Sequence, residues 1–289
     1  TTGGVMIFSF PRLFGALIVK RTLHKARLCA FSLIVSSAFL PGYSAAASEP
    51  ALLVVGASWA NGNLPLNEDM VGVWGGLNVG LGSYLDLGQA LVKDSRLPGY
   101  VINEAVAGAS TVYHHDCSLA GGTACSSAFW ISYDQQFDRA LRRVANPFVP
   151  GTYNAKFVFI AAGNDCMHSN NYDVPEIETS PCTVADINAY IDRSVALGQR
   201  ALDLGITPIF SGYPLSSEVI LSGPFSWFID AATWDFMAAL YEARLTAELP
   251  GAVFLDIWDG FEHIGDGMHP NDKTSRKAAG IIAQYIIEH

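Results

Sequence analysis

Short apolar segments alternate with longer segments of helical spacing along most of the chain. Five of the short segments are apolar on both faces, which is typical of strands buried between two layers of helices. In the longer segments, apolar residues recur every three to four positions, which predicts amphipathic helices. The predicted strands span 51–56, 99–103, 156–161, 206–211 and 252–257, and the predicted helices span 76–93, 133–144, 185–204, 231–248 and 273–287.

This succession of strand and helix predicts a parallel sheet with helices on both faces, a flavodoxin-like three-layer α/β/α fold with five strands. Thr183, with Asp186 three residues later, is a capping signal for the start of the third helix, and Gly205 ends that helix. No linker, charge block or internal repeat divides residues 48–289, so we expect a single domain. Sites in such sheets form at the carboxyl ends of the strands.

The first 47 residues have the pattern of a secretory signal peptide. Four basic residues between positions 20 and 27 precede a 13-residue apolar run, 28–40, and the alanines at 45–47 provide the small residues that a signal peptidase requires. The run is too short to cross a bilayer, which takes about 20 apolar residues. We therefore expect cleavage and a secreted or periplasmic protein; the alternative is an uncleaved N-terminal anchor.

Composition and charge exclude several classes of protein. Hydrophobic residues make up 50% of the chain and charged residues 15%, which excludes a disordered chain. Residues 48–289 carry 12 Lys and Arg against 27 Asp and Glu, a formal charge of −15. Nucleic acids and anionic membranes attract cations, so we expect neither as a partner, and no stable membrane insertion after the signal is removed.

Four cysteines follow the predicted signal peptide: Cys117, Cys125, Cys166 and Cys182. An even number in an exported chain favours disulfides. Proximity along the chain favours the pairs Cys117–Cys125 and Cys166–Cys182, although three pairings are possible. Neither pair has the C-x₂-C spacing of zinc sites, and the His-His-Asp stretch at 114–116 has no evident further ligand, so we expect no metal.

Residues with candidate chemistry follow four of the predicted strands. Ser58 comes after the first strand, Gly108 after the second and Asn164 after the third. Asp266 and His269 lie in the stretch G-D-G-M-H-P-N at 265–271, between the last strand and the last helix. Each is more often structural when taken alone, since Ser caps helices and Gly and Asn form turns.

Together, these residues could carry out a reaction that none of them could carry out alone. An Asp three residues before a His can accept a hydrogen bond from one imidazole nitrogen, which leaves the other nitrogen as a base toward a serine. A backbone N–H at a glycine and a side-chain amide can both donate to a developing oxyanion.

With these blocks in this order, the chain resembles the SGNH, or GDSL-type, serine hydrolases, and the resemblance extends from Ser58 to His269. It implies that Ser58 is the nucleophile, that His269 is the general base and that Asp266 orients it. It also implies an oxyanion hole made of the backbone N–H groups of Ser58 and Gly108 and the side chain of Asn164. The implied activity is carboxylic ester hydrolysis through an acyl-enzyme, with no metal or organic cofactor.

Two positions depart from the family pattern. Ala57 replaces the Asp of Gly-Asp-Ser, which is expected to alter the turn at the serine but not its chemistry. Ala162 replaces the first glycine of G-x-N-D, where its methyl group is expected to narrow the cleft. The α/β-hydrolase fold is excluded because its G-x-S-x-G elbow is absent and Ser58 follows the first strand.

Several consequences of the resemblance stay open at the level of sequence. The same groups serve carbohydrate O-deacetylases, lysophospholipases and thioesterases, and an inactive binding module is a further alternative. We expect a monomer that acts on a small-molecule, glycan or lipid ester, with Trp59 in contact with the substrate. Because imidazole is a base only when neutral, activity should rise through about pH 6–7. A Cys166–Cys182 bridge would brace the loop beside the oxyanion hole.

Overall fold

Five strands form a parallel sheet between layers of helices. The computed structural model describes residues 50–61, 85–115, 129–167, 182–221, 229–265 and 267–289. The spatial order is β2-β1-β5-β6-β7, which is the flavodoxin-like order 2-1-3-4-5 when only these strands are counted. A separate antiparallel pair is formed by β3 and β4. The strands are β1 (Ala51–Val55), β2 (Val101–Asn103), β3 (His114–His115), β4 (Phe129–Trp130), β5 (Ala155–Ile160), β6 (Thr207–Ser211) and β7 (Val253–Leu255).

Helices cover both faces of this sheet. Phe157 of β5 pairs with Thr207 in register, and Phe210 lies three residues further along β6, so the two phenylalanine rings point to opposite faces. Phe157 contacts Tyr285 of α5, whereas Phe210 contacts Tyr241 of α4. Helix α1 packs on α5, and α3 packs on α4. The helices of the described segments are α1 (Leu87–Lys93), α2 (Tyr133–Val144), α3 (Val184–Asp203), α4 (Ala231–Glu248) and α5 (Asp272–Glu288).

The predicted three-layer α/β/α fold is therefore confirmed. All five residues of β1 and the last four of β5 are buried, as expected for strands with helices on both faces. Each strand of the parallel sheet lies within two residues of its predicted bounds, and α2 and α4 have the predicted bounds. The short β3–β4 pair was not predicted, because two-residue strands are too brief to produce a periodic pattern.

Side-chain caps fix where two of the helices begin. The Thr183 hydroxyl accepts from the backbone N–H of Asp186, whose carboxylate accepts from the N–H of Thr183, so the predicted cap of α3 is confirmed. Asp86 caps α1 by accepting from the N–H of Gln89. The prediction that this helix includes residues 85 and 86 was therefore wrong, and its earlier part, 76–84, lies outside the described residues.

Two further predictions fall outside the described residues: the signal peptide at 1–47 and the Cys117–Cys125 pair. Within the segments that the structure describes, none of the helices is long and apolar enough to cross a membrane.

Candidate active site

A serine and a histidine that lie 211 residues apart meet at the carboxyl edge of the sheet. Ser58 lies in a turn directly after β1, where the N–H of Ala60 donates to the carbonyl of Ala57. His269 lies just before α5 and is 3% exposed. Its Nε2 is 2.8 Å from the Oγ of Ser58, a hydrogen-bond distance at which imidazole can accept the hydroxyl proton.

The turn that carries Ser58 depends on Gly56. The N–H of Gly56 donates to the Oε1 of Gln136 at 2.8 Å, and Gln136 is fully buried in α2. A Cβ at position 56 would lie only 2.7 Å from the Cβ of Ala161. Glycine therefore lets the end of β1 approach the end of β5, and the buried amide of Gln136 anchors the chain two residues before the serine.

The segments that carry Gly108 and Asn164 are joined to the serine turn by hydrogen bonds. The N–H of Val106 donates to the carbonyl of Gly56 at 3.0 Å, and Gly108 follows with a φ of 82°, a conformation that favours glycine. The Nδ2 of Asn164 donates to the carbonyl of Ala109 at 3.2 Å. A side-chain amide has two N–H groups; one of them makes this bond and orients Asn164, and the second is the donor that the sequence predicts for an oxyanion.

A partly buried ion pair joins the same two segments. Asp165, 4% exposed, accepts from the backbone N–H and the hydroxyl of Thr111. Arg193 of α3 donates through Nη2 to Asp165 at 3.1 Å and through Nε to the hydroxyl of Thr111 at 2.7 Å. The network holds the residue after Asn164 against the chain that follows Gly108, so it limits movement of both candidate oxyanion donors.

Two tyrosines fix the backbone just before Asn164. The hydroxyl of Tyr190 accepts from the N–H of Gly163 at 2.9 Å, and the hydroxyl of Tyr213 donates to the carbonyl of Gly163 at 2.7 Å. Burial raises the pKa of both phenols well above the ordinary value, so they stay protonated. A Cβ at position 163 would lie 2.6 Å from the Tyr190 ring, which explains a glycine there.

The segment around His269 is held on two sides. The N–H of Ile264 donates to the carbonyl of His269 at 2.9 Å, and the N–H of Ile220 donates to the carbonyl of Gly267 at 2.8 Å. Gly267 has a φ of 86°, and a Cβ there would lie 2.5 Å from the Cβ of Ile220. Asp266 lies outside the described residues, so its role in orienting His269 stays a prediction.

Three side chains close to the serine turn and to Asn164, at positions 57, 59 and 162, are buried. Trp59 is 5% exposed and its ring packs against Tyr213, Trp258 and Phe261, so this packing does not support a contact with substrate and favours a role beneath the serine turn. Ala162 is 4% exposed, so its methyl group lies in packed protein and does not narrow an open cleft. Ala57, where the family has Asp, is 3% exposed.

A disulfide braces the loop that carries Asn164. Cys166 and Cys182 are bonded, with their Cα atoms 5.3 Å apart, in agreement with the pairing that proximity favoured. Both residues are buried. The bond joins the residue two positions after Asn164 to the residue before the cap of α3, the helix that also carries Arg193.

Replacing both cysteines by alanine is expected to lower the free energy of unfolding by about 3 kcal/mol, because a cross-link across roughly 15 residues restricts the unfolded chain by that amount. We also expect kcat for the ester hydrolysis proposed below to fall, since the loop of Asn164 loses one of its anchors. Urea unfolding and steady-state kinetics, each measured on the parent and the C166A/C182A variant, check the two effects. Adding dithiothreitol to the C166A/C182A variant shows whether any of the change in stability or kcat comes from the remaining cysteines. A variant with the parent's kcat would contradict the bracing role.

No protein-family model matches the sequence, and no curated protein matches it. Among solved structures, the chain is similar to Est24, a carbohydrate acetylesterase from Sinorhizobium meliloti, with a TM-score of 0.53 and 16% identity over 83% of this chain and 99% of that one. It is also similar to a carbohydrate acetylesterase family member from Sinorhizobium meliloti, with a TM-score of 0.51 and 17% identity over 83% of this chain and all of the other. The protein therefore has the three-layer α/β/α fold of these two structures.

Proposed function

We propose that the protein is a serine hydrolase of the SGNH type that cleaves carboxylic esters. The observation that carries the proposal is the 2.8 Å distance between the Oγ of Ser58 and the Nε2 of His269. A serine is a weak nucleophile at neutral pH unless a base within hydrogen-bond reach takes its proton. The amide of Asn164, bonded to the chain next to Gly108, supports the same interpretation because it provides a fixed donor for charge that develops on the substrate.

In the proposed acylation step, the Oγ of Ser58 forms a bond to the ester carbonyl carbon while His269 takes the hydroxyl proton. The electron pair of the C=O bond moves to the carbonyl oxygen, where Asn164 and the backbone N–H groups of Ser58 and Gly108 are the proposed donors. His269 then gives its proton to the leaving alcohol as the ester C–O bond breaks. Asp266 is the proposed partner that orients the imidazole.

In the proposed deacylation step, a water molecule takes the place of the alcohol. His269 removes a proton from this water as its oxygen attacks the acyl-enzyme carbonyl, and then returns the proton to the Oγ of Ser58 as the acid leaves. Every proton in this cycle moves through one imidazole, and no cofactor takes part.

The structural comparison favours one class of ester as the substrate. Two structures with this fold are carbohydrate acetylesterases, which makes an O-acetylated sugar the first natural substrate to test. Of the alternatives from sequence, a lysophospholipase requires room for a long acyl chain, whereas a thioesterase differs in its leaving group, which is a thiol. The signal-like residues 1–47 and the Cys166–Cys182 disulfide support export, because disulfides persist in oxidising compartments.

We expect hydrolysis of p-nitrophenyl acetate, because the Oγ of Ser58 lies within hydrogen-bond reach of a base, the Nε2 of His269. Rates on acetate, butyrate and octanoate esters report the depth of the acyl site. A fluorophosphonate should add one equivalent to the protein, at the peptide that contains Ser58. If no ester is hydrolysed and no serine is labelled, the proposed function is wrong.

A further inference from the structure

We infer that His263 is a positioning residue for the catalytic loop, and this inference rests on the proposed function. The Nδ1 of His263 accepts hydrogen bonds from the backbone N–H of Gly265 at 3.0 Å and from that of Gly267 at 3.2 Å. One ring nitrogen thus holds the backbone on both sides of position 266. Because Nδ1 receives two donors, it carries no proton, and the proton of the neutral ring is on Nε2.

The two donors reach a single acceptor only because the backbone bends sharply. Gly265 and Gly267 both have positive φ, 109° and 86°, which a residue with a side chain adopts only with strain. A turn of two such glycines has few constraints of its own, since glycine has wide conformational freedom. The acceptor on His263 therefore selects one conformation from the many that the loop could adopt.

The base of the loop is closed by backbone hydrogen bonds, so the effect of His263 is carried to His269. His263 and Pro270 form an antiparallel bridge, and the N–H of Ile264 donates to the carbonyl of His269 at 2.9 Å. The N–H of Asn271 donates to the carbonyl of Glu262 at 2.8 Å, which continues the pairing. The backbone N–H groups of Gly265 and Gly267 are thus held by the imidazole of His263, and the chain continues from Gly267 directly into Met268 and His269.

The inferred role of His263 in catalysis is to keep His269 aligned with Ser58. His269 must keep its Nε2 within hydrogen-bond reach of Ser58 throughout the reaction, and a misplacement of about 1 Å can cost about 100-fold in rate. The hydrogen bonds of His263 are made to backbone N–H groups, so its inferred effect is on the course of the chain. Its acceptor limits the positions that the backbone before His269 can take.

The test compares two substitutions at position 263, one that keeps a hydrogen-bond acceptor and one that removes it. His263→Asn keeps an acceptor close to the Nδ1 position, because both atoms are bonded to Cγ, whereas His263→Leu keeps the apolar volume and removes the acceptor. We expect H263L to lower kcat for p-nitrophenyl acetate by about 10- to 100-fold with little change in KM, and H263N to restore most of the loss. H289L is a matched control, because His289 stacks on Tyr285 at the end of α5.

A second measurement does not depend on activity. Long-range ¹H–¹⁵N spectra of the full chain should give a His263 Nδ1 shift typical of an unprotonated nitrogen, in the parent and in S58A alike. The inference is overturned if Nδ1 carries the proton, if H263N is as slow as H263L, or if H263L keeps the parent's kcat. An inactive parent that a fluorophosphonate does not label would overturn the proposed function instead, while the nitrogen shift would still test the loop geometry.

Discussion

Replacing Ser58 by alanine is expected to lower kcat for ester hydrolysis by about 10⁶-fold, the loss seen when a nucleophilic serine is removed from a comparable serine–histidine pair. The reason is that the hydroxyl of Ser58 is the group that lies 2.8 Å from the Nε2 of His269 and is therefore placed to lose its proton to that base. Without the hydroxyl, only direct attack by water remains. Replacing His269 by alanine is expected to cost about as much, because the hydroxyl then has no base.

The double variant gives the sharper measurement. Because Ser58 and His269 act as one unit, S58A/H269A should be no slower than either single variant, whereas independent contributions would multiply. Ser217→Ala, on an exposed turn, is the matched control and should keep the parent's kcat. Circular dichroism should be the same for all variants. An S58A protein that hydrolyses esters well above the level of a mock preparation would place the nucleophile elsewhere.

The fold and the pairing of Ser58 with His269 could be predicted from the sequence. The strands and helices produce local patterns of apolar residues, and the site residues occur in a fixed order along the chain. Strands buried on both faces produce apolar runs, and the N-cap residue Thr183 marks the start of α3. Ser58, Asn164 and His269 each follow a strand, and parallel strands bring their carboxyl ends to one edge. The meeting of Ser58 with His269 is a consequence of that topology, which the structure bears out at hydrogen-bond distance.

What supports these residues could not be predicted, because it depends on contacts between distant segments. Asp165 looks like an ordinary turn residue, and only the fold brings it to Arg193 and Thr111. His263 belongs to no motif, since its role depends on how two glycines bend toward its ring. Trp59 was expected beside the substrate because it follows the serine, yet its ring points into a cluster of aromatic side chains that the sequence does not reveal.

Asn164 is the candidate oxyanion donor whose removal can be tested without touching the nucleophile or the base. Its side chain is half-buried and already oriented by the bond from Nδ2 to the carbonyl of Ala109. Asp165, directly after it, is held in the buried network with Arg193. A donor that is fixed before the reaction stabilises the transition state without a reorganisation cost, so its loss should act on kcat rather than on substrate binding.

We therefore expect Asn164→Ala to lower kcat by about 100- to 1,000-fold, with KM little changed, since removing one oxyanion donor costs about 2.7–4 kcal/mol of transition-state stabilisation. Asn164→Asp keeps the shape but places a carboxylate where negative charge develops, so it should be slower still. Asn188→Ala, in α3, where the side chain bonds to the carbonyl of Val184 and to Arg244 of α4, is the matched control and should keep the parent's kcat. Circular dichroism and the urea-unfolding midpoint of each variant separate loss of the donor from loss of the fold. If N164A keeps kcat and instead raises KM, Asn164 binds the ground state and another group must stabilise the oxyanion.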